Sequence, residues 1–436
     1  MRGFFKKKRA NIFLALDIGT ESVKALVFSF SKTEIKKIKV LSSFIEYFDK
    51  YSVFDGKDFE KALIKKTISR AVSEVCQNVS FSQAEKEIKK KVFNSRIYDY
   101  SLANQGSRAK REVLKKRKFE SLVTLSPDFL KTRVASFSFL RKESKKKISK
   151  KEGQVIKKKV LSQAQKRISK DFTKESGILA GEIEWLEIKI TELKIDGYKV
   201  NSLRDYEGRN LEFKVLAVFA PNFYLKKAKE ILKELNLKVL KIVQGSENLS
   251  KLSENGLFID IGGEITQFFL VKEGTLEKMD EFKIGGKMFS QALAEDLGID
   301  EATARNLKER YSGKELSSNV QKKIRDIFSK ERKKWYNTLK GKLEDLGLQV
   351  SKDIFLFGGT SLLPEMEEVL KEEQENLENR LVSENLEVKV IYPQDLPEIK
   401  DETNLLDSPQ YIPILLILFQ EYMEDLAKPS FYTSKT

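Results

Sequence analysis

The chain has 436 residues, a formal net charge of +16, a single cysteine (Cys76) and no histidine. One cysteine excludes an intramolecular disulfide and a thiolate zinc site, and the lack of histidine excludes Ser-His and Cys-His nucleophile pairs and histidine-ligated metals. Any catalysis must therefore use carboxylates, lysine, backbone dipoles and a hard cation.

The length and the hydrophobic content of 40% predict two to four folded units. The longest apolar run, Ile412–Phe419, is too short to cross a bilayer and contains Pro413, so we expect a buried helix there. The basic segment Met1–Arg9 lacks the apolar region of a secretory signal.

The positive charge favours an anionic partner, either nucleic acid or the inner membrane surface, although lysine is spread over most of the chain. Two stretches rise above this background, Lys86–Lys118 and Arg141–Lys170. Neither interleaves aromatic residues for base stacking, so we expect no nucleic acid partner.

The first part of the chain predicts a β-meander followed by a helix. The three strands and the helix are expected at Ile12–Leu16, Val23–Phe30, Ile38–Tyr47 and Lys57–Cys76.

The middle of the chain predicts four strands, a helix behind a capping box of Ser149 and Glu152, a second helix and a fifth strand. The strands are expected at Phe119–Leu125, Thr132–Leu140, Trp185–Lys194, Leu211–Ala220 and Lys238–Val243, and the second helix at Leu225–Leu235.

The opening pattern then returns, which indicates two diverged copies of one unit. The second copy has strands at Leu257–Asp260, Thr266–Lys272 and Leu276–Ile284, helices at Lys287–Leu297, Glu301–Tyr311 and Val320–Leu346, and a strand at Ile354–Phe357.

The first motif lies where the opening strand ends on Asp17 and turns through Gly19 and Thr20. Such a turn exposes backbone N–H groups that can cradle phosphate oxygens, and Asp17 can orient the waters around Mg²⁺. Lys24, on the next strand, can reach a phosphate oxygen. Taken alone, this pattern is more typical of an ordinary β-hairpin.

The second motif repeats this geometry with Asp260 as a second carboxylate facing the metal and Gly262–Gly263 permitting close backbone approach, followed by Thr266. In the third motif a strand passes through Gly358, Gly359 and Thr360 into a helix that starts near Pro364, which suits packing of a purine and ribose against bare backbone.

Together the three motifs resemble the phosphate-one, phosphate-two and adenosine motifs of the actin, sugar-kinase and heat-shock ATPase superfamily. Within it the chain is most similar to FtsA-type cell-division proteins and the related PilM of type IV pilus assembly. Ile195–Glu212 and Asn222–Ile242 also look FtsA-like. The resemblance implies an α/β actin-like ATPase fold with two duplicated ribonuclease-H-like halves and a small α+β insertion in the first half.

The resemblance also implies ATP and Mg²⁺ as cofactors, with Asp17 and Asp260 holding the metal largely through water. The spacing from Asp17 to Asp260 is much longer than that from Asp260 to Gly358, so the insertion lies in the first half. The predicted domains are residues 1–118 (first half), 119–209 (inserted FtsA-type subdomain), 210–245 (return to the first half) and 246–436 (second half).

The chain departs from the family pattern at three positions. Arg305 and Lys308 stand where a Glu and a Lys usually face the ribose, so a carboxylate is lost. Glu264 would add negative charge near the phosphates, and Gln244 aligns only loosely with a residue that positions the attacking water. We therefore expect ATP binding and, at most, slow hydrolysis.

The resemblance favours an ATP-binding scaffold that links an FtsZ-like division polymer to the cytoplasmic face of the membrane, with self-association into filaments. The alternatives are a PilM-like adaptor that binds a peptide of a pilus inner-membrane protein, an actin-like protein with little hydrolysis, and a small-molecule kinase, for which no segment supplies a catalytic base. Gln420–Thr436 lacks the basic amphipathic helix with which FtsA normally reaches the membrane. Met1–Arg9 is expected to substitute as a weak membrane-binding segment.

Overall fold

The computed structural model describes residues 12–30, 37–49, 54–55, 58–79, 120–347, 353–373 and 387–419. Three segments discussed above lie outside these ranges, namely Met1–Arg9, Lys86–Lys118 and Gln420–Thr436. No helix in the described ranges has the length and apolar character that a membrane span requires.

The described elements follow the predicted order closely. The first part comprises β1 (Ile12–Ile18), β2 (Ser22–Phe30), β3 (Ile38–Tyr47), β4 (Phe54–Asp55), β5 (Asp58–Phe59), α1 (Lys61–Gln77) and β6 (Glu120–Leu125). The middle part comprises β7 (Lys131–Leu140), α2 (Lys150–Ser176), β8 (Ile183–Ile195), β9 (Tyr198–Lys199), β10 (Asn210–Pro221), α3 (Asn222–Glu234) and β11 (Lys238–Ile242). The last part comprises β12 (Gly256–Ile261), β13 (Thr266–Lys272), β14 (Thr275–Phe282), α4 (Gly286–Leu297), α5 (Glu301–Ser312), α6 (Ser318–Asp345), β15 (Asp353–Phe357), α7 (Pro364–Glu372), β16 (Glu387–Val390), β17 (Ile399–Asp401) and α8 (Ile412–Leu416).

Five strands of each main sheet follow one order, which confirms the predicted duplication, and β17 is an additional strand of the first sheet. The first sheet runs β11-β6-β1-β2-β3-β17 and the second runs β16-β15-β12-β13-β14. In each, an antiparallel meander is extended on the side of its first strand by two parallel strands. Both β1 and β12 are buried along most of their length, as expected for central strands covered on both faces. Their carboxyl ends, which carry Asp17 and Asp260, therefore occupy equivalent places.

A separate four-stranded sheet, ordered β7-β10-β8-β9, is inserted between β6 and β11. Helix α2 packs on this sheet through Ile156, Val160 and Ala164. The hydroxyl of Ser149 caps the helix by accepting the Glu152 N–H at 3.1 Å. The carboxylate of Glu152, in turn, accepts from Arg141 Nε at 2.9 Å.

The sheets divide the chain differently from the predicted boundaries. Strand β6, assigned to the insertion 119–209, belongs to the first main sheet, whereas β10, assigned to the return segment 210–245, is an inner strand of the inserted sheet. Strand β10 is buried along nearly all of its 12 residues, so it forms the centre of the small sheet rather than a connection out of it.

The last described segment also crosses back from the second half, to which residues 246–436 were assigned. Strand β17 pairs in parallel with β3 of the first sheet. The predicted buried helix Ile412–Phe419 forms α8 and a 3-10 turn, and it lies in one apolar cluster with Phe28 of the first half and Phe258 of the second. This shared core joins the two halves beneath the cleft between them.

Candidate functional site

A cleft of about 390 Å³ separates the two halves, and all three sequence motifs line it. Twelve of the thirteen predicted site residues lie on its walls: Asp17, Gly19, Thr20, Lys24, Gln244, Asp260, Gly262, Gly263, Lys308, Gly358, Gly359 and Thr360. Residues separated by more than 300 positions along the chain thus share one cavity.

The first two motifs form matching turns at the ends of β1 and β12. The N–H of Gly19 donates to Ser22 O at 3.0 Å, and the N–H of Gly262 donates to Ile265 O at 3.0 Å. No protein acceptor within the described ranges takes the N–H of Thr20 or Gly263. Each turn therefore offers backbone donors to an anion, as the motifs predicted.

The two aspartates at these turns differ in their charge balance. Asp17 is nearly buried and accepts a hydrogen bond from Lys24 Nζ at 2.8 Å, across the β1–β2 pair. Asp260 forms no such salt bridge with any residue that the structure describes. Desolvation raises its pKa to about 7, Asp17 adds to the shift, and Lys24 opposes it. The cleft thus holds one aspartate that is paired with a lysine and one that is desolvated.

A divalent cation fits this pair of carboxylates. Mg²⁺ keeps several waters and takes one or two carboxylates, so a site with two aspartates and space for water suits it. The described residues hold no group of three or more acidic or cysteine side chains that would form an all-protein cage.

The third motif packs directly against the second. Gly358 has a positive φ of 87°, and a Cβ placed on it would lie 2.7 Å from Ile261 O and closer still to Asp260 Oδ1. The hydroxyl of Thr360 donates to Gly262 O at 2.9 Å. The glycine therefore permits the backbone contact that brings the adenosine motif to the phosphate turn, and α7 then begins at Pro364 as predicted.

Thr266 is the one predicted site residue that does not line the cleft. Its hydroxyl donates to Ile284 O at 2.6 Å and accepts from Trp335 Nε1 at 3.0 Å inside the second half. Alternation along β13 explains this correction, since Gln267 is the cross-strand partner of Asp260 and faces the cleft. The duplicated register thus puts Gln267, rather than Thr266, in the place of Lys24.

Glu264 does not bring negative charge to the turns that follow Asp17 and Asp260, although the sequence had indicated that it would. Its carboxylate pairs with Lys287 Nζ at 2.8 Å, and it is not part of the cleft wall. Glu21 takes that place, because its side chain lies where a Cβ of Gly263 would be, between the two turns. Oε1 of Glu21 is buried and accepts no hydrogen bond within the described structure.

Replacing Glu21 with glutamine should tighten binding of Mg·ATP about tenfold, because the change removes one negative charge facing the phosphate turns. Isothermal calorimetry at low salt measures this. Glu264→Gln is the matched control and should leave affinity unchanged, since the pair that it breaks lies outside the cleft. Weaker binding by Glu21→Gln would show instead that this carboxylate contacts the bound cation.

The wall formed by α5 supplies a carboxylate that was not predicted from the sequence. Lys308 and Glu309 both line the cleft, and Lys308 Nζ donates to Gly286 O at 3.1 Å. Burial raises the pKa of Glu309, and Glu21 adds to this shift. Arg305 lies over the ring of Tyr47 at 5.2 Å and donates to Phe48 O at 3.4 Å, so it bridges the two halves. Glu309, one residue after Lys308, thus brings a carboxylate to this wall of the cleft.

Two amides complete the cleft. Oε1 of Gln244, the predicted water-positioning residue, accepts from Ser246 N at 2.6 Å, which fixes its side chain. Gln267 donates to Glu281 Oε2 at 3.0 Å, and Glu281 also pairs with Lys131 of the inserted sheet. Gln267 gave a usable signal in the sequence, because it lies as far beyond Asp260 as Lys24 lies beyond Asp17.

Comparison with known proteins supports the resemblance. A family model described as cell division protein FtsA matches residues 257–415, which include the second and third motifs. No curated protein matches the chain in sequence.

Solved structures with a similar fold include the PilM–PilN type IV pilus biogenesis complex, with 14% identity, 97% of this chain and 100% of that chain covered, and a TM-score of 0.58. Ethanolamine utilization protein EutJ from Carboxydothermus hydrogenoformans is 12% identical over 94% of this chain and 90% of its own, with a TM-score of 0.44. MreB5 of Spiroplasma citri bound to AMPPNP is 12% identical over 96% of this chain and 98% of its own, with a TM-score of 0.38. The predicted fold class and the FtsA- and PilM-type resemblance are confirmed.

Proposed function

We propose that this chain, which has the actin-like ATPase fold and an FtsA-type second half, is an ATP-binding scaffold that links a division polymer to the cytoplasmic face of the membrane. The proposed binding of ATP is supported mainly by one observation. Asp17 and Asp260 lie at equivalent strand ends and face one cleft.

Each group in the cleft has a role in this proposal. Asp17 and Asp260 would hold Mg²⁺ largely through water, and the bound cation would offset the charge of the phosphates. The free N–H groups of the two turns would donate to phosphate oxygens. Lys24 would exchange its contact with Asp17 for a phosphate oxygen. Lys308 and Glu309 would face the ribose.

The scaffold role adds three proposals that derive from the FtsA resemblance. The partner is an FtsZ-like division polymer, copies of the chain associate into filaments, and the protein is cytoplasmic with peripheral contact at the inner face of the membrane. Filaments suit a scaffold because linked copies multiply weak individual contacts.

Calorimetry with ATP should show binding that strengthens on addition of Mg²⁺, and phosphate release from the same sample should be slow. We expect turnover below the common enzyme range of about 1–10³ s⁻¹, because Gln244 is already held by Ser246. Absence of binding would refute the nucleotide role. Turnover in the middle of that range would show that the cleft positions an attacking water after all.

A PilM-like adaptor is the second candidate, and a groove beside β11 favours it. The groove is lined by β11, by Leu186 of β8 and by Lys229 and Lys233 of α3. Within the described ranges no strand pairs with the outer edge of β11. An extended peptide could add to such an edge through backbone hydrogen bonds.

The neighbouring genes separate the two roles without a protein experiment. Division genes beside this one would support the scaffold, and pilus genes would support the adaptor. ATP binding in the cleft is common to both roles, so the calorimetric result does not distinguish them.

A further inference from the structure

Most of the positive charge of the protein is concentrated on α2 and the loop before it. Residues 141–176 contain fourteen lysine and arginine residues and four acidic residues, a net charge of +10 out of +16 for the whole chain. This segment is described throughout, and it belongs to the inserted sheet rather than to the cleft.

Helix α2 separates its apolar and basic residues onto opposite sides. The inward side carries Ile156, Val160, Ala164, Ile168 and Phe172, which are buried against the inserted sheet. The outward side, here called the basic face, has exposed residues at helical spacing along about 30 Å of axis. These residues are Lys151, Val155, Lys158, Lys159, Lys166 and Lys170.

Within the described ranges, the lysines of the basic face are not neutralised by neighbouring acids. The acidic residues of this segment are already engaged: Glu143 pairs with Lys146, Glu152 with Arg141, Asp171 with Arg167 and Glu175 with Arg133. No acidic partner within the described ranges pairs with the five lysines of the basic face. By contrast, three basic residues of the long helix α6, Arg325, Arg332 and Lys342, each pair with a carboxylate.

We propose that the basic face of α2 binds the surface of an anionic lipid bilayer. Lysines near anionic headgroups attract additively, and Val155, 61% exposed, lies among them as an apolar contact. The proposal rests on the membrane-linked role given above and names the surface that provides the contact.

The composition of the face favours lipid over nucleic acid. Its charges are all lysines, which act as point charges, whereas phosphate and base recognition in nucleic acids commonly uses the planar fork of arginine. The face carries no aromatic side chain on which a base could stack. No residue of α2 lines the cleft, so the basic face is not part of the cleft wall, although Lys159 Nζ also lies 5.3 Å from the centroid of the Phe139 ring on β7.

Vesicle co-sedimentation of the full chain tests the proposal. The variant Lys158→Gln/Lys159→Gln/Lys166→Gln/Lys170→Gln removes four charges from the basic face. The control Lys322→Gln/Lys323→Gln/Lys330→Gln/Lys333→Gln removes four exposed lysine charges from α6 and leaves the same net charge. A third protein starting at Asn11 removes the basic N-terminal segment.

The wild type should pellet at low salt with vesicles of phosphatidylcholine and phosphatidylglycerol but not with phosphatidylcholine alone. The α2 variant should bind at least about tenfold more weakly, the α6 control should bind like the wild type, and the truncated protein should lose less affinity than the α2 variant. ATP affinity should be the same in all four, which separates this result from the nucleotide proposal.

Four outcomes would overturn the inference. If the wild type does not pellet, or if the two quadruple variants lose binding equally, the basic face has no specific role at the membrane. If the truncation alone abolishes binding, the N-terminal segment is the contact. If a DNA duplex displaces the protein from vesicles and loses its affinity for the α2 variant, the face binds nucleic acid instead.

Discussion

Replacing Asp260 with asparagine should stabilise the metal-free protein above pH 7 while removing most of the Mg²⁺-dependent part of ATP affinity. The folded protein holds the proton of Asp260 with a pKa of about 7, compared with an ordinary value of 3.8. This group therefore contributes stability at pH values below 3.8, and that contribution is lost as the pH rises through 7. Above pH 7 the ionised, desolvated carboxylate lowers the free energy of unfolding by on the order of 2–4 kcal/mol. Asparagine carries no charge and avoids this loss.

Denaturant unfolding with a chelator present measures the stabilisation of the metal-free protein by Asp260→Asn. This stabilisation should disappear as the pH approaches 4. Calorimetry with Mg·ATP measures the loss of affinity, which we expect to be at least about tenfold. ATP without metal should bind the variant nearly as well as it binds the wild type.

Asp17→Asn provides the contrast, because Asp17 forms a salt bridge with Lys24 that the substitution breaks. It should lose Mg·ATP affinity as Asp260→Asn does, but it should not stabilise the metal-free protein. If both variants retain wild-type affinity for Mg·ATP, the two aspartates do not hold the cation.

Replacing Gly358 with alanine should destabilise the second half and weaken ATP binding more than any other single methyl addition at the adenosine motif. Gly358 has φ +87°, which an alanine adopts only with strain, and the new Cβ would collide with Asp260 and with Ile261 O. We expect a loss of about 2–4 kcal/mol in the free energy of unfolding, from backbone strain and the forced displacement of Asp260.

Gly359→Ala is the control one residue away. A Cβ there would meet only Gln410, at 3.8 Å or more, which is ordinary van der Waals contact. Thermal unfolding of both variants measures the loss of stability, and calorimetry with ATP measures the loss of affinity. Similar behaviour of the two would show that the close approach of Gly358 to Asp260 does not support the site.

The local features of this protein were readable in its sequence. Strand alternation, the glycine turns after Asp17 and Asp260 and the start of α7 at Pro364 depend on residues a few positions apart. Repetition of one pattern then predicted two sheets of the same order. Twelve of the thirteen predicted residues reached the cleft because a duplicated fold brings equivalent strand ends together.

The charge balance of the cleft was decided by tertiary structure. Glu264 is neutralised by Lys287, whereas Oε1 of Glu21 has no hydrogen-bond partner among the described residues, although the sequence gives both the same formal charge. Those outcomes depend on side chains that meet across turns and between halves, where distance and burial rather than residue type fix the electrostatics.

The sequence by itself therefore determined most of the motif residues that line the cleft, because turn chemistry and strand period are local properties. Only the tertiary structure decided where the inserted sheet begins, since β10 pairs with β7 and β8 at long range instead of returning to the first sheet. It also decided that the chain crosses back through β17 to join the halves. Such pairings are selected by the burial of complete apolar faces, which a one-dimensional pattern does not specify.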